Sequence, residues 1–231
     1  MLLIVEAGHA LNEDVTAYEA ALPAIRRAFS ERFPVFKTQT ECVLALYFGL
    51  TDAPEAVAAR LAELIRERGS RLATGFIGTP YLLFALSANG YEELAYTLLL
   101  QEDYPSWLYS VNQGATTIWE HWDGKREDGT FWSRDMNSFN HYAYGSVASW
   151  IFEYAGGITP LEPGFKRVRI APHPDKRLGW LSVKHEIEAG LLSVRWFYED
   201  DRVRYEISTP VPAEIELNGR TVSVGPGSYL F

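Results

Sequence analysis

Hydrophobic positions recur at two different periods along this chain of 231 residues. Up to the Gly156-Gly157 pair the period is helical. Val15, Tyr18, Leu22, Ile25 and Phe29 fall on one helical face and predict a helix that buries it. Pro23 lies inside that pattern, where it either kinks the helix or marks its first turn. Residues 40–50 predict a second, apolar helix. Asp52 is a candidate cap for a third, with Pro54 in the first turn, Val57, Leu61, Leu64 and Ile65 on the buried stripe, and Gly69 as the stop. Thr79-Pro80 repeats the cap-then-proline start, Gly90 ends that helix, and residues 91–101 form the next. Ser138 is a candidate cap for a last helix, buried through Tyr142, Val147, Trp150, Ile151 and Tyr154 and stopped by Gly156-Gly157. Helices joined by links this short pack as antiparallel hairpins.

Beyond that point the period drops to two. Val168/Ile170, Leu181/Val183/His185/Ile187, Leu192/Val194/Trp196/Tyr198, Val203/Tyr205/Ile207 and Ile215/Leu217 predict strands. Asn218-Gly219 predicts a tight hairpin into Thr221 and Val224. Short strands with regular turns suggest an antiparallel sandwich. Pro160, Pro163 and Gly164 mark the junction. The expected fold is therefore α+β and multi-domain, with helical hairpins over 1–159 and a β-sandwich over 160–231.

Charge follows the same division. The net charge is −9, from 21 Lys+Arg and 30 Asp+Glu. Residues 160–231 hold ten of each sign, so residues 1–159 carry the whole excess. An acidic chain without a basic face argues against nucleic acid as a partner. No apolar run approaches the roughly 18 residues of a membrane helix. The N-terminal stretch reaches Glu6 without a basic flank and makes a poor secretory signal. The one cysteine, Cys42, excludes an internal disulfide framework and reads as a small buried apolar residue. The cytoplasm is the expected compartment.

Aromatic residues reach 14%, and five of the seven Trp lie within 104–154: Trp107, Trp119, Trp122, Trp132 and Trp150. The same segment carries Gly114, Glu120, His121, Asp123, Asp135, Asn140 and His141. Aromatic rings mixed with carboxylates and amides suit a sugar, whose apolar face lies on a ring while its hydroxyls need several polar partners. Glu120, between Trp119 and Trp122, is a candidate general base for a water nucleophile. It reads equally well as a structural carboxylate paired with an arginine. His141 reads as a hydrogen-bonded core residue as readily as a ligand contact. Each tryptophan alone fits a core position better than a sugar platform. His121, His141, Asp123 and Asp135 match no metal-ligand spacing, so neither metal nor cofactor is expected. There is no GxGxxG, phosphate loop or GxSxG elbow.

Four ordered blocks carry a family resemblance: TQTECVLALYFGL (38–50), TGFIGTPYLLFALSANGYEELAYTLLLQEDYPSW (74–107), GATTIWEHWDG (114–124) and MNSFNHYAYGSVASWIFEYAGGI (136–158). They resemble bacterial α-L-rhamnosidases of glycoside hydrolase family 78. The segment EPGFKRVRIAPHP (162–174) resembles the junction into that family's C-terminal β-domain. The resemblance implies an (α/α)6 toroid of helical hairpins, of which this chain holds the later part, followed by an antiparallel β-sandwich. It also implies inverting hydrolysis of terminal α-L-rhamnosides, with an acid and a base roughly 6.5–9.5 Å apart. By the same resemblance the general base is Glu120 and a sugar-contacting histidine is His141. Trp119, Trp122 and Asn140 are further candidate sugar contacts in those blocks. The family's acid segment, of the form D-x-P-Q-R-x-E-R-x-G-W, has no counterpart in residues 1–231. The expected partners are a rhamnose-containing glycoside and either the missing N-terminal half or a second copy. The isolated chain is expected to be inactive or nearly so. The alternatives are a non-catalytic sugar-binding or structural remnant, and a complete small enzyme with Asp123 or Asp135 as substitute acid.

Overall fold

The computed structural model describes residues 1–231, which form two compact units, 1–144 and 145–231. The first unit is built of helical hairpins: α1 Leu2–Leu11 with α2 Thr16–Arg32, α3 Gln39–Tyr47 with α4 Pro54–Glu67, and α5 Thr79–Ser87 with α6 Glu92–Leu99. A short α7, Trp107–Asn112, follows. Its core lies among α3 to α6, where Cys42, Val43, Leu61, Ile65, Leu82, Leu86 and Leu98 are fully buried or nearly so. Burial pushes the Cys42 thiol up to about 11, so it remains a neutral core group at physiological pH.

The helix starts are locally determined, though not always by the residues that the sequence pattern singles out. Thr38 caps α3: its hydroxyl accepts from Glu41 N–H at 3.2 Å, and the Glu41 carboxylate accepts from Thr38 N–H at 2.9 Å. Asp52 does not cap α4. Ala53 holds the cap position, and its N–H is bonded to the Thr51 hydroxyl at 3.1 Å instead. Thr79 is the first residue of α5 rather than its cap, and its hydroxyl turns back to Thr74. Val57, Leu61 and Ile65 form the buried stripe of α4, while Leu64 lies at its margin.

Helix α2 departs most from expectation. None of its residues is buried, and Tyr18 and Ile25 are exposed. An apolar stripe buries only where another surface meets it. Here α1 meets the start of α2, where Gly8 gives room to the buried Val15. Pro23 lies in the helix interior.

Gln39 is buried at the head of α3 and acts as a two-sided clamp. Its Oε1 accepts from Ala73 N–H at 2.7 Å, and its Nε2 donates to Arg71 O at 3.1 Å. Gln39→Leu leaves those backbone groups without partners. A loss of about 1–3 kcal/mol is expected, read as a lower urea midpoint with an unchanged slope.

The second unit opens with a 3-10 turn at Ala143–Ser146 straddling the division, then α8 Val147–Trp150 and one π-helical turn, Ile151–Ala155. The helix predicted from Ser138 therefore starts five residues later, at Ala143, and runs to Ala155, just before Gly156-Gly157. Ser138 lies in an irregular segment, and Tyr142 is exposed. The reason is that Ser138 and His141 spend their backbone groups on a distant segment rather than on a helical ladder.

Eight strands follow: β1 Ile158–Pro160, β2 Val168–Ile170, β3 Trp180–Ile187, β4 Gly190–Glu199, β5 Arg202–Thr209, β6 Ala213–Leu217, β7 Arg220–Val224 and β8 Gly227–Leu230. They make two four-stranded sheets, ordered β1-β2-β6-β7 and β3-β4-β5-β8. All pairings are antiparallel except β2 with β6, which is parallel. The inner faces of both sheets share one core containing Ile158, Val168, Ile170, Val194, Trp196, Ile207 and Ile215. Trp196 is wholly buried, and its Nε1–H donates to Ala155 O at 2.8 Å. Asn218 and Gly219 form the two-residue turn between Leu217 and Arg220, both at positive φ.

Candidate active site

Residues 115–142 carry the aromatic and polar cluster, and hold almost no regular structure. Ser106 caps α7 through Tyr109 N–H at 3.0 Å. Gly114, at φ 90°, lets the chain leave that helix. From there the chain is organised by backbone pairing across a long loop. Glu120 N–H donates to Ser138 O at 2.9 Å, and His141 N–H donates to Ile118 O at 2.8 Å. Residues 118–120 thus run antiparallel to 138–141. A smaller return is closed by Arg126 N–H to Thr130 O at 2.8 Å. The Asn137 side chain ties the two parts together through Gly124 O at 2.7 Å.

This pairing brings Glu120 and His141 onto adjacent segments although 20 residues separate them. Glu120 is half-buried. One carboxylate oxygen, Oε2, accepts from Ser138 N–H at 3.0 Å. Oε1 has no such constraint, so the side chain is held by one oxygen and offers the other. No arginine pairs with it in this structure. His141 is half-buried too. Its Nδ1 accepts from Ala143 N–H at 3.3 Å, and its ring lies nearly parallel to Phe76 and Tyr142.

The tryptophans divide into two kinds. Trp122 is buried, stacked on Tyr144 at 3.8 Å and met edge-on by Trp107 at 5.3 Å. Trp107 Nε1–H donates to Tyr144 O at 2.9 Å, which locks this group. Trp119 is buried and edge-on to Phe139. Both therefore wall the site and keep water from its back rather than offering a broad open face. Trp132 is exposed and stacks on His121 at 3.6 Å. Burial pushes the Tyr144 phenol above its ordinary value, and the nearby Tyr104 and Glu120 add to the shift.

The other polar candidates are dispersed. Asp123 is bound to Arg126 Nε at 3.2 Å, so its carboxylate belongs to a local ion pair. Asp135 and Asn140 are exposed, and the Asn140 N–H is bonded to the Ser138 hydroxyl at 3.2 Å. No three His, Cys, Asp or Glu side chains converge as a metal site. Phe76 was not legible as a site residue. It stands 65 positions before His141, in the turn ahead of α5, and nothing in the local pattern connects the two.

Residues 2–155 match the bacterial alpha-L-rhamnosidase 6 hairpin glycosidase domain, and residues 157–226 match the bacterial alpha-L-rhamnosidase C-terminal domain. The chain belongs to the bacterial α-L-rhamnosidase family. An α-L-rhamnosidase of Formosa agariphila is 39% identical over 216 residues, covering 89% of this chain and 23% of that protein. The crystal structure of the Streptomyces avermitilis α-L-rhamnosidase complexed with L-rhamnose superposes with a TM-score of 0.89 at 32% identity, covering 97% of this chain and 25% of that one. The native Aspergillus terreus α-L-rhamnosidase gives a TM-score of 0.86 at 32% identity, over 94% of this chain and 27% of that one. The chain thus spans about a quarter of the length of these rhamnosidases. Helical hairpins followed by a sheet-rich domain are the architecture it shares with them. No helix is long and apolar enough to cross a membrane.

Proposed function

We propose that this chain is the base-bearing part of an inverting glycoside hydrolase that releases terminal α-L-rhamnose, with residues 1–159 as the toroid portion and 160–231 as the β-domain. The observation that carries the reading is the placement of Glu120. Its carboxylate is half-buried, fixed through one oxygen and free of an arginine, on a segment whose backbone pairs with the one that carries His141. A base must be held still yet keep a lone pair for the proton it removes. In the proposed reaction Glu120 takes a proton from water as the water attacks the anomeric carbon. The bond to the leaving oxygen breaks, and an acid on the complementary part protonates that oxygen. His141 and Asn140 would contact the sugar, with Trp119 and Trp122 walling the site.

The complementary part is the proposed partner. An apolar cavity of about 680 Å³ opens beside α2, lined by Phe29, Phe33, Phe36, Phe48 and Phe76 among others. Apolar surface left in water costs about 25 cal/mol per Å². A surface of this kind favours association with apolar helices of the remaining toroid. The second reading is a non-catalytic sugar-binding or structural remnant of this fold.

A chimaera tests the first against the second. Replacing the matching quarter of the Streptomyces avermitilis enzyme by this chain should give hydrolysis of an aryl α-L-rhamnoside. The chain alone should give essentially none. A folded chimaera that binds L-rhamnose but does not turn over would overturn the catalytic reading and leave the sugar-binding one.

A further inference from the structure

We propose that Phe76 is a positioning residue for His141, which together with the Ala143 N–H holds the imidazole as its neutral Nε2–H tautomer, with the Nε2 edge presented to a ligand hydroxyl. The inference deepens the proposed sugar site and rests on that reading of His141.

Two independent constraints act on the ring. The first is a hydrogen bond. Ala143 opens a 3-10 turn, so its N–H is one of the donors that a helix start leaves without an internal partner. His141 Nδ1 supplies the acceptor at 3.3 Å. A nitrogen that accepts carries no proton, so in the neutral ring the proton lies on Nε2. Rotating the ring by half a turn would bring a C–H to Ala143 and forfeit the bond.

The second constraint is the ring plane. Phe76 stacks on His141 with centroids 5.0 Å apart and planes 17° apart. Tyr142 lies at 5.3 Å and 14°, but it is itself highly exposed and adjacent in the chain. Phe76 is the better-anchored of the two. It leans on Tyr144 at 5.1 Å, which is buried against Trp122. Its turn is also closed. Gly75 O accepts from Gly78 and Thr79 N–H at 3.2 and 3.0 Å, and the Thr74 and Thr79 hydroxyls meet at 2.8 Å in a buried contact. Gly78 packs closely there, and a Cβ would come within 2.9 Å of the Thr40 hydroxyl. A rigid turn carrying a 44% exposed phenyl ring that covers an imidazole is an arrangement for setting that imidazole's plane. Plane and edge together leave His141 one role toward a ligand, that of a donor from Nε2.

The test uses the 231-residue chain, labelled with ¹⁵N, and long-range ¹H–¹⁵N correlations of His141, assigned by their loss in His141→Asn. A protonated, pyrrole-type Nε2 and a bare, pyridine-type Nδ1 are expected. Phe76→Leu should move both nitrogens toward a tautomer average, and Phe76→Tyr should restore the wild-type pattern. Helix and strand amide signals elsewhere report whether each variant is folded. An Nδ1–H pattern in the unsubstituted chain overturns the proposal, and so does an unchanged pattern in folded Phe76→Leu. Titration with L-rhamnose then separates the two claims. Binding should perturb Nε2, and Phe76→Leu should weaken it roughly three- to tenfold. A fixed Nε2–H tautomer that no rhamnose concentration perturbs would count against the sugar reading while leaving the positioning of the ring intact.

Discussion

Glu120→Gln in the chimaeric enzyme is expected to lower kcat for an aryl α-L-rhamnoside by a factor on the order of 10²–10⁴, the usual contribution of a general base, with little change in KM. The substitution is nearly isosteric. A glutamine carbonyl can still accept from Ser138 N–H, so the pairing of 118–120 with 138–141 should survive. What is lost is the ability to take a proton from water. Azide separates that loss from a distortion of the site, because an anion needs no deprotonation to attack. Added azide should therefore restore turnover in Glu120→Gln and leave the parent chimaera unaffected. Undiminished hydrolysis in Glu120→Gln would remove Glu120 from the mechanism. A loss that azide does not relieve would make it a structural carboxylate.

The β-domain was the most legible part of the chain, for a local reason. Strands β5 and β6 alternate strictly and β3 and β4 over most of their length, and the Asn218-Gly219 turn is set by residues that tolerate positive φ. The parallel pairing of β2 with β6 was not legible, because it joins segments more than 40 residues apart. Among the helices, α2 to α6 were readable, α1 and α7 were not, and capping was not. Asp52 and Thr79 are good capping residues in the abstract, yet competing hydroxyl contacts from Thr51 and Thr74 settle those turns. The exposed face of α2 shows a deeper limit: a periodic stripe says which face is apolar, not whether anything covers it. The site follows the same logic. Glu120 and His141 were picked out by aromatic density and by resemblance to a family. Their juxtaposition depends on two backbone hydrogen bonds across a loop, and such bonds leave no periodic trace. Phe76 belongs to the site only through tertiary packing.

Gly157→Ala is expected to destabilise the β-domain by about 3 kcal/mol or more, where most single substitutions cost less. The helical pattern accounts for Gly156-Gly157 only as a helix stop. Gly157 has φ 73°, a conformation that costs an L-residue about 1–2 kcal/mol. A methyl group there would also overlap the backbone of Ala171 and Pro172, which cannot yield as a flexible side chain would. Ala171 N–H donates to Gly157 O at 2.9 Å, next to the Ile158–Ile170 pair that begins β1 and ends β2. Relieving the overlap must therefore part those strands at buried Ile158 and Ile170, inside the sandwich core. Gly179→Ala is the matched control. Its φ is 78°, but a Cβ there meets nothing within 4 Å, so only the conformational cost of about 1–2 kcal/mol applies. Amide hydrogen exchange at Ala171 and Ile170 reads the difference directly: protection should collapse in Gly157→Ala and persist in Gly179→Ala. Equal losses in the two variants would mean that the close approach of the 157 and 171 backbones contributes nothing, and that the glycine is there only for its φ.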